Sequence, residues 1–135
     1  MRTIYLCGPI NGRSDSEVID WRQKASALLK TKFRMLDPSR NDYRGREMQN
    51  AAKIVAQDTA DISQSDYLLV WFDQPSVGTA MEIRMAFAEM SKSVFVVDRS
   101  SKPLSPWLIR HCTKVFSTLE SACDYLNTLE GTHND

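Results

Sequence analysis

Glu82 stands in the run Ser65 to Ala88, SDYLLVWFDQPSVGTAMEIRMAFA, among Ala80, Met81, Ile83, Met85 and Ala86. A carboxylate set into so apolar a helical stretch has no evident structural purpose. Its helical neighbours three and four residues away are Gly78, Thr79, Met85 and Ala86, and none is basic. Helical spacing puts Glu82 roughly 200° from Arg84, so the pattern predicts an inward-facing carboxylate. Glu89, two turns later, falls near the same side and pulls against that reading. Buried, unpaired carboxylates are costly and cluster at functional sites. The alternatives are a glutamate in water, or one bonded to nearby backbone or to a tyrosine. Six residues earlier, Ser76 has the chemistry of a helix N-cap, and Gly78 lets a ligand come close to the backbone. The first N–H groups of a helix favour anions. Ser76 is then either a plain capping serine or part of an anion cradle. A cradle beside a buried nucleophile would do chemistry on a phosphorylated substrate.

Other carboxylates lie in QDTADISQSD, which holds Asp58, Asp61 and Asp66. Asp58 has no basic partner one helical turn away and faces Asp61, a like charge. That neighbour would raise a carboxyl pKa and suit a proton donor; a solvated acidic patch is the alternative. The loop Gly8-Pro9-Ile10-Asn11-Gly12-Arg13 lacks the GxGxxG pattern, so the dinucleotide fingerprint is missing. Arg13 is a phosphate binder or a surface charge. The polar loop SRNDYRGR, residues 39–46, carries Arg40, Arg44 and Arg46 with Tyr43 and is suited to closing over an anionic or aromatic ligand. Cys7 lies in an apolar strand and reads as a packed core thiol. His111 and His133 form no credible metal set, and no metal or organic cofactor is expected.

The elements that position these residues follow from period and punctuation. Short apolar runs at Thr3–Cys7, Phe33–Leu36, Tyr67–Phe72, Val94–Val97 and Lys114–Phe116 predict five strands. Helices are predicted from a cap at Asp15 or Ser16 to Lys30, over 47–63, from Ser76 to about Met90, and over Leu119–Leu129. Residues 103–110 read as irregular or a helical turn. Alternating strands and helices argue an α/β fold, a doubly wound five-stranded parallel sheet of flavodoxin-like order 2-1-3-4-5. Ligands bind such sheets beyond the carboxyl ends of the strands, where the order reverses between strands one and three. The site should therefore use residues 8–13, 73–79 (Ser76, Gly78 and Thr79 among them) and 37–46.

The 135 residues make one domain, 1–129, with a flexible tail at 130–135. The 17 basic and 17 acidic residues cancel, and no polybasic block points to a nucleic-acid polymer. No stretch approaches the ~18 apolar residues of a membrane span. The start MRTIYLCGP lacks a signal-peptide pattern. Three cysteines without CxxC spacing fit reduced thiols and a cytoplasmic protein.

Together these segments resemble the nucleoside 2-deoxyribosyltransferase superfamily, which includes 5'-monophosphate N-glycosidases. The matching pieces are IYLCGPINGR at 4–13, QDTADISQSDYLLVW at 57–71, PSVGTAMEIRMA at 75–86 and LSPWLIR at 104–110, in the family's order. The resemblance implies the same doubly wound fold. It implies Glu82 as the nucleophile at the anomeric carbon, Asp58 as the acid/base or base-contacting carboxylate, and Tyr5 as the hydroxyl that orients Glu82. Gly8, Ile10, Gly12 and Arg13 would line the sugar and base pocket. Such enzymes are usually homodimers or higher homo-oligomers whose sites a neighbour completes, and Ser105 would reach the neighbour's phosphate. Transferases acting on free nucleosides tend to carry aspartate where this chain has Ser76, and the monophosphate hydrolases tend to carry serine. Loop 8–13 has one glycine fewer than typical hydrolase loops, and loop 39–46 is typical of neither branch.

The expected reaction is N-glycosidic cleavage of a nucleoside or deoxynucleoside 5'-monophosphate, giving free base and sugar 5-phosphate by the logic of a retaining glycosidase. Base exchange on free deoxynucleosides is the first alternative, because the two reactions differ only in the acceptor. A non-catalytic nucleotide-binding domain is the second.

Overall fold

The computed structural model describes residues 1–132. Five strands, β1 (Arg2–Cys7), β2 (Phe33–Leu36), β3 (Tyr67–Phe72), β4 (Ser93–Asp98) and β5 (Lys114–Phe116), form one sheet in the order β2-β1-β3-β4-β5. Every pairing is parallel, so the expected class and strand order are those found. β1 is the pivot: Tyr5 sits opposite Leu36 on one side and Leu68 on the other. Parallel strands need crossover helices, and these cover both faces of the sheet.

The two faces divide the hydrophobic core. On one, Ile4, Leu6, Leu69 and Phe95 pack against Trp21, Ala25 and Leu29 of α1 (Asp15–Leu29) and against Ala122 and Leu126 of α5 (Leu119–Thr132). On the other, Tyr5, Cys7, Leu68 and Val70 pack against Ile62 of α2 (Ala51–Gln64) and Ile83 of α3 (Val77–Arg84). The side-chain alternation of β1 sends Ile4 and Leu6 one way and Tyr5 and Cys7 the other. No helix among the described residues is long and apolar enough to cross a membrane.

Several element ends differ from the sequence expectation. The N-cap of α1 is Ser14, not Asp15 or Ser16. Glu17 N–H donates to Ser14 Oγ at 3.3 Å and Ser14 N–H to Glu17 Oε1 at 3.0 Å, a reciprocal capping box that needs the three-residue offset. The helix expected over 47–63 begins instead with a 3-10 turn, Met48–Asn50. Asn50 leaves helical geometry (φ −116, ψ 14) before α2 starts. The helix capped by Ser76 is regular only to Arg84 and then widens into a π turn, Met85–Glu89, closed by Met90 N–H on Met85 O at 3.1 Å. Residues 106–109 form the short α4 (Pro106–Ile109). α5 continues through 130–132, part of the expected tail; residues 133–135 lie outside the described residues.

Gly8 joins β1 to the loop before α1 at a point of close packing. A Cβ there would stand 2.9 Å from Cζ2 of Trp21 and 3.4 Å from the carbonyl oxygen of Trp71. Trp21 has nowhere to retreat, because its ring stacks on Trp71 with centroids 5.7 Å apart. Gly8→Ala is therefore expected to cost about 1–3 kcal/mol of stability, read as a lower urea midpoint at unchanged slope. An unaltered midpoint would mean that the Trp21–Trp71 stack yields freely.

Candidate active site

Beyond the carboxyl ends of β1 and β3 lies a cavity of about 160 Å³. The switch-point rule places a ligand site here. β1 supplies Tyr5 and the following loop supplies Gly8, Pro9, Ile10 and Asn11. α2 supplies Ile54, Gln57 and Asp58, and the start of α3 supplies Ser76, Gly78, Thr79 and Glu82. Pro38, Asn41 and Tyr43 close the remaining side.

Glu82 faces inward as its helical position predicted, and Glu89 lies exposed. The competing pull from Glu89 is released by the π turn, which shifts the later residues around the helix axis. Tyr5 Oη lies 3.2 Å from both Glu82 oxygens, and Cys7 Sγ lies 3.4 Å from Oε1. Burial pushes the Tyr5 hydroxyl and the Cys7 thiol far above their ordinary pKa values, with the Glu82 charge adding to both. Both groups remain protonated donors at any working pH. Burial, then the charge of Asp58, raises Glu82 from 4.5 to about 8. Burial also raises Asp58, followed by the like charge of Asp61, while a hydrogen bond with Glu82 and then Arg40 and Arg22 oppose the rise.

Two acids so placed share protons as a pair. Their mutual hydrogen bond raises Glu82 and lowers Asp58, so the shared proton rests on Glu82; once it passes to Asp58, Glu82 is an anion held by two fixed donors. That state pairs a carboxylate nucleophile with an adjacent acid. The like-charge effect of Asp61 on Asp58, expected from sequence, is present but ranks behind burial. Asp61 is itself held by Arg40, with Nη1 2.7 Å from Oδ2 and Nη2 3.0 Å from Oδ1.

A buried cation supports the floor of the cavity. Arg22 is only 1% exposed, and its guanidinium donates to Val18 O at 2.8 Å and Gly8 O at 3.0 Å. Its Nε lies 3.3 Å from Asp37 Oδ1 without an aligned hydrogen bond. Arg22 thus ties the end of β1 to α1 and to the loop after β2. Its position in the amphipathic stripe of α1 gave no sign of this, because arginines on helices usually face water.

Gly12 and Arg13 do not line the cavity. Arg13 is locked to Asp73 by two contacts, Nη1–Oδ2 at 2.9 Å and Nη2–Oδ1 at 3.0 Å, and also reaches Glu17. The three arginines of loop 39–46 do not line the cavity either. Arg40 holds Asp61, Arg44 bonds Asp42 and Asp15, and Arg46 covers the Tyr43 ring at 5.8 Å. Tyr43 does line the cavity, and its hydroxyl donates to Gln57 Oε1 at 3.2 Å. Ser105 caps α4, accepting from Trp107 N–H at 3.2 Å, and lies outside this cavity. Ser76 caps α3, with Thr79 N–H 3.5 Å from its Oγ. Cys7, Arg22, Asn11, Asn41 and Gln57 were not singled out as site residues. Asn11 and Asn41 lie in loops expected at the site, whereas Cys7 in a strand and Arg22 and Gln57 on helices carried no such mark.

A family model described as nucleoside 2-deoxyribosyltransferase matches residues 4–129. Similar solved structures include a 2-deoxyribosyltransferase from Bacillus psychrosaccharolyticus, at TM-score 0.74 and 16% identity over 91% of each chain. A 2-deoxyribosyltransferase from Leishmania mexicana aligns at TM-score 0.68 and 22% identity, covering 93% of this chain and 96% of that one. A CMP N-glycosidase from Clostridium botulinum aligns at TM-score 0.59 and 16% identity, covering 93% and 99%. At these identities the likenesses establish the shared fold. Among curated proteins, no sequence matches the chain.

The raised pKa of Glu82 has a thermodynamic sign. The folded state binds a proton that the unfolded chain releases, so this residue removes stability as pH rises from about 4.5 toward about 8. Glu82→Gln keeps the acceptor for Tyr5 and removes the charge. It should melt a few degrees above the native protein at pH 8, worth ~2 kcal/mol, with the gap closing toward pH 4. A pH-independent difference would place the carboxylate in water.

Proposed function

We propose that this chain, which belongs to the nucleoside 2-deoxyribosyltransferase family, cleaves the N-glycosidic bond of a nucleoside 5'-monophosphate. The observation that carries this reading is Glu82, half-buried with its carboxylate 3.2 Å from the Tyr5 hydroxyl and with Asp58 in the same cavity. Glu82 attacks C1' as the bond from C1' to the base nitrogen breaks, and Asp58 gives the departing base its proton. Water then adds to C1', the ester bond to Glu82 breaks, and a proton returns to Asp58. The products are free base and sugar 5-phosphate. Tyr5 and Cys7 hold the attacking carboxylate in place, which lowers the cost of orienting it.

Ser76 supports the phosphate assignment. It lines the cavity at the start of α3, where backbone N–H groups point outward and a carboxylate would repel an anion. A neighbouring copy would add Ser105, and the exposed Val77 and Met81 on one side of α3 give that copy an apolar surface. A homodimer is therefore part of the proposal.

Base exchange on free deoxynucleosides is the second reading. It is favoured by one observation: none of the residues lining the cavity is cationic. A neutral 5'-hydroxyl needs no cation, whereas a phosphate dianion gains from one.

A panel of nucleosides and 5'-monophosphates, each with and without a competing free base, separates the readings by chromatography. Free base and sugar phosphate from a monophosphate, lost by at least about 10³-fold in Glu82→Ala, is the expected result. Exchanged nucleosides in place of sugar phosphate would favour the transferase, and binding without turnover a silent domain. Ser76→Asp keeps a good N-cap. It should lower kcat/KM for the monophosphate by about 10- to 100-fold while sparing the free nucleoside. Unchanged kinetics would remove the phosphate from Ser76.

A further inference from the structure

Cys7 closes β1 with no exposed surface, and its thiol points at the same carboxylate as Tyr5. The two residues are one pleat apart, so both project to the α2/α3 face. Their donors are unevenly shared. Oε1 of Glu82 faces both the Tyr5 hydroxyl at 3.2 Å and the Cys7 thiol at 3.4 Å, whereas Oε2 has the Tyr5 hydroxyl at 3.2 Å and no thiol, and Asp58 also hydrogen-bonds the carboxyl group. An oxygen with fewer donors keeps more lone-pair density for attack on carbon. A thiol is also a weaker donor than a hydroxyl, so it can hold an oxygen in place without drawing much charge from the carboxylate.

We propose that Cys7 is a positioning residue for the glycosidic nucleophile: its S–H anchors Oε1 of Glu82 and leaves Oε2 as the oxygen that attacks C1'. This rests on the reading of Glu82 as nucleophile. The thiol never has to ionise or react. Burial and the neighbouring Glu82 charge hold it in the S–H form, and its hydrogen bond favours the charged state of Glu82. The other titratable groups acting on Glu82 are Tyr5 from β1, Asp58 from α2 and, as a more distant charge, Arg22 from α1. On α3 itself, Gly78, Thr79, Met85 and Ala86 are its axial neighbours and bring no charge.

The test uses Cys7→Val, which fills the site without a donor, and Cys7→Ser, which restores one. The first readout needs no activity. The Glu82 carboxyl is titrated by infrared difference spectroscopy in the resting protein and identified by its loss in Glu82→Gln. Cys7→Val should move its midpoint upward by about half a pH unit or more, and Cys7→Ser should leave it at or below the native value. The second readout is base release from the monophosphate. In Cys7→Val, kcat should fall by about 10-fold with KM within about 2-fold, and its acidic limb should move to higher pH. Cys7→Ser should recover most of that loss.

A Cys7→Val protein with native midpoint and native kcat would overturn the proposal, leaving Cys7 as packing alone. Equal damage in Cys7→Val and Cys7→Ser would overturn it too, because shape rather than the donor would then matter. If Glu82 titration follows the donor but the native protein releases no base from any substrate, the nucleophile reading fails and takes this role with it. Should base release occur while Cys7 variants leave both readouts unmoved, only the positioning role fails.

Discussion

A carboxylate pressed against the interior strand β1 is the constraint on which the site depends. Glu82 cannot face inward at so low a cost unless something replaces the water it loses. Tyr5 and Cys7 do so, and both belong to β1, which has neighbours on either side and no exposed surface from Ile4 to Cys7. The strand is therefore held rigid by its position in the sheet, and its donors are rigid with it. Pre-placed donors around a developing or reacting charge avoid reorganisation at the moment of reaction. Asp58, presented by α2, sets the proton balance by its like charge and by its own burial.

The scaffold around that pair is braced by ion pairs whose arginines lie outside the cavity lining. Arg22 crosses beneath the end of β1, satisfies the Gly8 carbonyl and faces Asp37. Arg40 clamps the loop after β2 onto α2 through Asp61, and Arg13 clamps the loop after β1 onto Asp73. Each clamp fastens a loop at the carboxyl edge of the sheet. Loops in that place carry binding groups, and a binding group is useful only if its loop holds still. The basic residues that looked available for an anionic ligand are thus spent on fastening the walls. Under the proposed reading, an anion is left with the N-terminus of α3 and Ser76.

Much of the fold was legible because local signals and the global pattern agree. Five β-rich runs separated by helical periods left a parallel doubly wound sheet as the natural arrangement, and the strand order followed. Element ends were less legible. The cap of α1 falls at Ser14 because a reciprocal pair with Glu17 outweighs the nearer Asp15 and Ser16. The π turn after Arg84 was invisible, since nothing in MAFAE marks one extra residue in a turn. Yet that turn decides that Glu82 and Glu89 part company. For the site, the period of the helix sufficed to turn Glu82 inward, whereas the engagement of Arg13 and Arg44 depended on partners far away in the chain.

The amino-acid sequence by itself determined the α/β class, the reversal of strand order that creates a crevice, and the family to which the chain belongs. It also singled out Glu82, an ionisable residue in an apolar period, and Asp58, beside the like charge of Asp61, whereas Tyr5 entered only through the family resemblance. The tertiary structure decided what those residues face. Glu82 lies 77 positions from Tyr5 and 75 from Cys7, and no spacing rule acts over such separations. Only the closing of the sheet around β1 brings a phenol and two carboxylates into one cavity and sets a buried thiol against one of them. Their ionisation then follows from burial and mutual distance, quantities that exist only once the chain has folded.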